Sequence, residues 1–195
     1  MTTYVALLYS IGIGGGRRLV MSDWRAMMEG IGLENLRTLI ATGNAVFESQ
    51  GATIRQLERR LEDAFEHAFG RRVDTIVRAA APWRRLAAGN PFPEAAERDG
   101  ARVVVRVMRK PLDEGTIAAL DKHAILGERL AIVSGDLWIH FEQDPARSRL
   151  LPILASKRLG VGTVRNWNTV RRLDEMIAGR GLAEPLGWTA KLPSV

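Results

Sequence analysis

Leu36-Arg37-Thr38-Leu39-Ile40-Ala41-Thr42-Gly43-Asn44-Ala45-Val46-Phe47 reads as two short strands, 36–41 and 45–47, around the turn Thr42-Gly43-Asn44. Gly and Asn tolerate the positive φ angles of a tight hairpin. The second half of the chain carries a matching stretch, Ala131-Ile132-Val133-Ser134-Gly135-Asp136-Leu137-Trp138-Ile139-His140-Phe141, with strands at 131–133 and 137–141. Before the first hairpin stand an apolar strand, 4–9, expected to be buried on both faces, and a helix over about 23–31, capped by Ser22 or Asp23 and ended by Gly32. After it come a helix over 53–68, with Ile54, Leu57, Leu61, Ala64, Phe65 and Ala68 at helical spacing, and a strand at 73–77. The second hairpin is framed by a strand at 102–108, a helix at 113–122, a helix at 148–159 and a short strand at 163–165. The order β-α-β-β-α-β thus occurs twice. The expected fold is α+β, with two tandem ferredoxin-like (βαββαβ) halves forming a duplicated α/β sandwich. The plainer alternative is strand–helix alternation without duplication.

The first half is expected to span 1–89. A connector over 90–100 contains Asn90-Pro91-Phe92-Pro93, whose two prolines are expected to stop regular structure. The second half, 101–179, ends in an additional C-terminal helix at about 169–178, with Asn168 as N-cap and Val170, Leu173 and Ile177 facing inward. Residues 180–195 have Gly, Pro and little periodicity and are expected to form a loosely ordered tail.

The net charge of +6 lies entirely in the last quarter. Residues 145–195 hold nine Lys/Arg and three Asp/Glu, whereas residues 1–144 hold 19 of each. Segregated positive charge attracts phosphates, carboxylates and nucleic acid. No cysteine is present, which excludes disulfides, thiolate nucleophiles and Cys-ligated metals and fits a cytoplasmic protein. The N-terminus has no basic leader before its apolar run and reads as a strand rather than a signal peptide. No apolar run approaches the roughly 20 residues of a membrane span, so no membrane association is expected.

Four regions are candidate anion sites. Gly12, Gly14, Gly15 and Gly16 follow the first strand and precede Arg17 and Arg18. Such a loop either presents backbone N–H groups to a phosphate or simply needs positive φ; neither a P-loop nor a dinucleotide fingerprint is completed. Ser148 is expected to cap the 148–159 helix, with Arg147 and Arg149 beside it, where basic side chains oppose the helix dipole and suit either a bound anion or a surface ion pair. Arg165-Asn166-Trp167-Asn168-Thr169 joins a cation, a ring and two amides, a combination for stacking and phosphate contact; the alternative has Asn168 capping and Trp167 in the core. Trp138 and His140 share one strand face, either an open binding face or the packing surface between the halves. The acids Glu58, Glu62, Asp63 and Glu66 alternate with Arg59 and Arg60 and read as a solvated helix face. His67, His123 and His140 lack metal-ligand spacing, so no metal and no cofactor are expected.

Tyr4-Val5-Ala6-Leu7-Leu8 before a Gly-rich loop, Thr42-Gly43-Asn44-Ala45-Val46-Phe47, Asn90-Pro91-Phe92, Leu137-Trp138-Ile139-His140-Phe141, Arg147-Ser148-Arg149-Leu150 and Arg165-Asn166-Trp167-Asn168-Thr169 occur in this order. Over about residues 3–178 the chain resembles the bacterial family catalogued as domain of unknown function 1697. The resemblance implies a duplicated α+β fold and supplies no activity. Members of that family usually carry Arg-Gly-Ile-Asn-Val-Gly-Gly after the first strand. Here the segment is Tyr9-Ser10-Ile11-Gly12-Ile13-Gly14-Gly15, so any contact made through that Arg or Asn is altered, with Arg17 or Arg18 as substitutes.

The expected function is a non-catalytic binding protein for an anionic partner, nucleic acid or nucleotide, through Arg165, Asn166, Trp167, Asn168 and neighbouring arginines. A second reading is an enzyme acting on a phosphorylated or carboxylated small molecule between the halves, lined by Gly14, Gly15, Asn44, His140 and Ser148. A third is a protein-interaction module using the sheet face.

Overall fold

In a computed structural model, the structure describes residues 1–9, 19–39 and 43–179. The expected segments Gly14, Gly15 and Arg17, the turn residue Thr42 and the tail 180–195 lie outside the described residues. The order is β1 (Thr2–Leu8), α1 (Met21–Gly30), β2 (Glu34–Leu39), β3 (Asn44–Ser49), α2 (Ile54–Phe69), β4 (Thr75–Ala79), α3 (Ala80–Ala88), α4 (Pro93–Arg98), β5 (Val103–Met108), α5 (Gly115–Asp121), β6 (Arg129–Val133), β7 (Asp136–His140), α6 (Leu150–Ala155), β8 (Gly162–Asn166) and α7 (Trp167–Ala178). The fold is α+β with two four-stranded antiparallel sheets, ordered β2-β3-β1-β4 and β6-β7-β5-β8.

Local sequence accounts for the boundaries. Thr53 caps α2, accepting from the Gln56 N–H while the Gln56 side chain accepts from the Thr53 N–H. Gly70, at φ 69°, ends the helix. The β6–β7 turn places Ser134 at φ 52° and Gly135 at φ 83°. A Cβ on Gly135 would stand 2.4 Å from Pro111 Cβ, so glycine is required on both counts.

Central strand β1 has helices on one side and the second half on the other. Tyr4, Ala6 and Leu8 pack with Trp24, Met28, Leu57, Leu61 and Phe65 of α1 and α2. Val5 and Leu7 face a core shared by both halves, containing Val103, Val105, Val107, Trp138, Trp83 and Leu86 of α3, and Val170 and Leu173 of α7. The outer face of the second sheet packs Val104, Leu137 and Ile139 against α5 and α6. The face carrying Trp138 is therefore covered rather than open.

Several elements differ from the sequence reading. Helix α3 was not expected, and Pro93 starts α4 instead of stopping structure, because a proline at the first helical position gives up an N–H that has no partner there. Strand β4 is shifted to Thr75–Ala79 by pairing with β1, Leu8 opposite Thr75 and Tyr4 opposite Ala79. The single helix expected over 148–159 is instead α6 followed by a 3₁₀ turn at Lys157–Leu159, with a further 3₁₀ turn at Pro145–Arg147 before it. Ser156 is extended (φ −88°, ψ 163°) and interrupts it. Asn166, not Asn168, caps α7: its side chain accepts from the Thr169 N–H at 3.0 Å.

Candidate functional site

Both sheets end in a matched pair of contacts across the shared core. Arg78 is opposite Val5 on β1, and Arg165 is opposite Val105 on β5. Arg78 of the first half reaches Met108 O and, at 3.3 Å, Asp136 Oδ1 of the second half. Arg165 of the second half reaches Leu8 O at 3.0 Å and Asn44 Oδ1 of the first half. Asn44 and Asp136 each open the strand after a glycine turn and are buried, at 0% and 5% exposure. Each half thus sends one arginine to the turn of the other. Burial pushes Arg165 down to about 10 and raises the Asp136 carboxyl, which the Met108 N–H at 2.7 Å and Arg78 partly offset. The sequence candidates Asn44 and Arg165 therefore stand in the seam between the halves.

Tyr9, the residue after β1, stands at the same end. Tyr9 Oη donates to Ala155 O at 2.6 Å, and Lys157 Nζ lies 5.5 Å from its ring centre while pairing with Asp74. Arg106, fully buried, donates to Leu154 O and Ser156 O at the end of α6 and to Gly160 O after the 3₁₀ turn that follows, and so satisfies carbonyls left open there. Glu58 and Glu62 are buried, contrary to the solvated face expected for them. Their carboxylates accept from the N–H groups of Val77 and Thr75 on edge strand β4, at 3.1 and 3.0 Å, and Arg109 pairs with Glu62. These charges complete the edge of a sheet.

The opposite end of the second half is different. His140, at the end of β7, is 5% exposed and lines a cavity of about 210 Å³ with Ala95, Arg98, Asp99, Arg102 and Glu142. Helix α4 brings Arg98, the start of β5 brings Arg102, and β6 brings Arg129, which the hairpin register places opposite His140. Arg129 Nη2 and Nε stand 3.3 and 3.4 Å from His140 Nδ1. A guanidinium only donates, so Nδ1 accepts and the neutral ring carries its proton on Nε2. Phe92 packs beside this pair, its ring 6.1 Å from the imidazole and 5.1 Å from the Arg129 guanidinium carbon. Burial first, then Arg129, with smaller contributions from Arg98 and Arg102, holds His140 below its ordinary pKa, and Glu142 opposes them. Asp99 pairs with Arg102 at 3.2 Å, and Glu142 Oε2 lies 3.6 Å from Nδ1. Both acids are at least half exposed, whereas the imidazole is nearly buried. The cavity lining therefore combines the donors Arg98, Arg102 and His140 with the carboxylates of Asp99 and Glu142.

The other sequence candidates scatter around this end. Arg147 and Arg149 are exposed and flank Ser148, which is buried, donates to Glu128 and accepts from the Leu150 N–H. Asn166 caps α7. Trp167 is half-buried, 6.1 Å from the Trp138 ring, and Asn168 is exposed beside Gly100. His140 and Asn44 lie at opposite ends of the sheets and do not meet. Sequence reading missed Arg98, Arg102 and Arg129. The Ser134-Gly135 turn carried a usable signal, since a two-residue hairpin there pairs residue 129 with residue 140. Among the described residues no group of His, Asp and Glu is placed to hold a metal.

Comparison with known proteins agrees with this architecture. The family described as "Protein of unknown function (DUF1697)" matches residues 1–138. The chain belongs to the DUF1697 family. That match is shorter than the resemblance over 3–178 and ends within β7, so it includes Arg98, Arg102 and Arg129 but stops before His140. This DUF1697 protein is also similar to the solved structure of conserved bacterial protein SP0830 from Streptococcus pneumoniae, at 24% identity and a TM-score of 0.71, covering 90% of this chain and 98% of the other. At that identity the likeness shows the fold. Among curated proteins, none matches the chain. No helix of the described residues is long and apolar enough to cross a membrane.

Proposed function

We propose that this protein is a non-catalytic binding protein whose partner presents a small oxyanion, a phosphate group first, to the cavity at His140. The observation that carries the reading is the convergence of Arg98, Arg102 and the nearly buried His140 on one cavity of about 210 Å³, with Arg129 fixing the imidazole from behind. Guanidinium groups bind phosphate and carboxylate through paired N–H donors. A phosphorylated small molecule is favoured over nucleic acid. Two members of the expected nucleic-acid surface have other work: Arg165 is 8% exposed within the seam, and Trp167 leans on Trp138. Asp99 and Glu142 lie at the rim and must turn outward when an anion enters.

We also read the two halves as ferredoxin-like repeats. Support comes from the matched strand orders and the reciprocal arginines. It comes too from α3 and α7, each of which follows the last strand of its half. On this reading the unit that recurs is β-α-β-β-α-β-α, with α4 as the connector.

Isothermal titration with inorganic phosphate and with a nucleoside monophosphate tests the site. Saturable binding that weakens about tenfold or more in Arg98→Ala/Arg102→Ala supports it, a loss in keeping with removal of charge-assisted hydrogen bonds. Binding unchanged in that variant rejects it. Labelled single-stranded RNA held at near-physiological salt, and released by Arg171→Ala/Arg172→Ala instead, would restore the nucleic-acid reading.

A further inference from the structure

Two four-stranded sheets have four edge strands, and unpaired edges invite pairing with another chain. Three of the four are guarded. Strand β2 has a register shift between Glu34 and Arg37, with Asn35 at φ 51°. Strand β4 has its Thr75 and Val77 N–H groups taken by Glu62 and Glu58 and its Thr75 O taken by Arg109. Strand β8 lies against the first half, its Thr163 and Arg165 side chains bonded to Leu8 O.

Strand β6 has none of these devices. Its register with β7 is unbroken from Arg129–His140 to Val133–Asp136. The two-residue turn makes Val133 and Asp136 a hydrogen-bonded pair, so Ala131 and Arg129 also bond to β7. Leu130 and Ile132 then turn their N–H and C=O groups away from the sheet. Among the described residues those groups have no further backbone partner. The strand is apolar after Arg129. Leu130 and Ile132 border the outer core, Ala131 and Val133 the shared core, and all four are half-buried.

We propose that β6 is the surface through which two copies of this chain associate, antiparallel about a two-fold axis at Ala131. The strand is self-complementary in that register. Leu130 lies opposite the partner's Ile132, and each such pair exchanges two N–H···O=C bonds through the groups that β7 leaves unused. Arg129, the only charge in the strand, lies opposite the partner's Val133 and never opposite its own copy. The result is one continuous eight-stranded sheet with apolar side chains meeting on both faces.

Sedimentation equilibrium of the full chain, from micromolar to millimolar concentration, is the test. The expected result is a reversible monomer–dimer equilibrium that Ile132→Pro abolishes with the circular dichroism spectrum retained, because the Ile132 N–H takes no part in the β6–β7 ladder. Amide exchange on the unmodified chain gives a second reading independent of that variant's folding: Leu130 and Ile132 become protected as concentration rises. A wild-type chain that stays monomeric throughout, a dimer that persists in a folded Ile132→Pro variant, or Leu130 and Ile132 amides whose exchange ignores concentration overturns the proposal. So does association only with an added peptide.

Discussion

Asn44 and Asp136 hold equivalent places at the start of a strand in each half, yet one is neutral and one is an acid. Their partners are equivalent as well, Arg165 and Arg78. Removing a buried hydrogen-bonded cation leaves its acceptors unsatisfied, so Arg165→Met is expected to cost about 3 kcal/mol in urea unfolding. A loss below about 0.5 kcal/mol would remove Arg165 from the seam. In the sequence this arginine resembled a ligand contact, because composition reports charge and not burial. His140 carries a pH dependence. Its folded pKa lies below the ordinary value of 6.5, so the unfolded chain takes up its proton first. The stability held by the neutral ring is present above about pH 6.5 and is lost as pH falls toward the folded value. Unfolding free energy measured between about pH 7.5 and 5.5 should therefore fall more steeply in the wild type than in His140→Gln. Equal slopes would show that the imidazole is not held neutral. Asp136 and Glu58, whose carboxyls are raised by burial, act in the opposite direction: acid favours the folded state as it passes through their raised values.

At the scale of elements, the strands and the helices α1, α2, α5 and α7 were legible, α6 was read too long, and α3 and α4 were not seen. Helix α2 repeats apolar residues over four turns and carries its cap in the sequence, Thr53 with Gln56. Helix α3 has Pro82 in its first turn and only Trp83 and Leu86 buried, too few residues for a period to emerge. The burial of Glu58 and Glu62 was also illegible, because it depends on β4 being an edge strand whose N–H groups need acceptors. Glu62→Ala is expected to leave the Thr75 N–H without its acceptor and to remove one of the carboxylates around Arg109, which keeps Glu58, Asp74 and Thr75 O, costing about 2 kcal/mol and promoting aggregation through β4. Thermal unfolding and light scattering measure both effects, and no change in either would contradict the role given to Glu62. The hairpin turn that announces the fold is itself exacting. Gly135→Ala meets Pro111 and keeps a positive φ, so a loss of about 2 kcal/mol or more is expected in denaturant unfolding. A neutral result would show that the loop yields.

For the whole molecule, the shared core makes the halves interdependent. Trp138 and Trp83 are buried at 1% and 0% exposure in one cluster with residues from both sheets and from α3 and α7. Trp138→Ala should cost about 3–5 kcal/mol and lower a single cooperative transition seen by probes in either half. Two separate transitions would mean independent halves. The segregated charge visible in the sequence points to a different region from the proposed site: Arg98 and Arg102, which line the His140 cavity, and Arg129, which bonds to His140, all precede residue 145. The most direct test is an NMR titration of the His140 ring with inorganic phosphate. His67 and His123, which lie outside the cavity, serve as internal references. An anion beside Nε2 should shift the His140 ring signals saturably, raise its pKa and leave the other two histidines unmoved, with the response lost in Arg98→Ala/Arg102→Ala. A His140 pKa and chemical shift indifferent to phosphate, or shifts shared equally by all three rings, would contradict an anion site at His140.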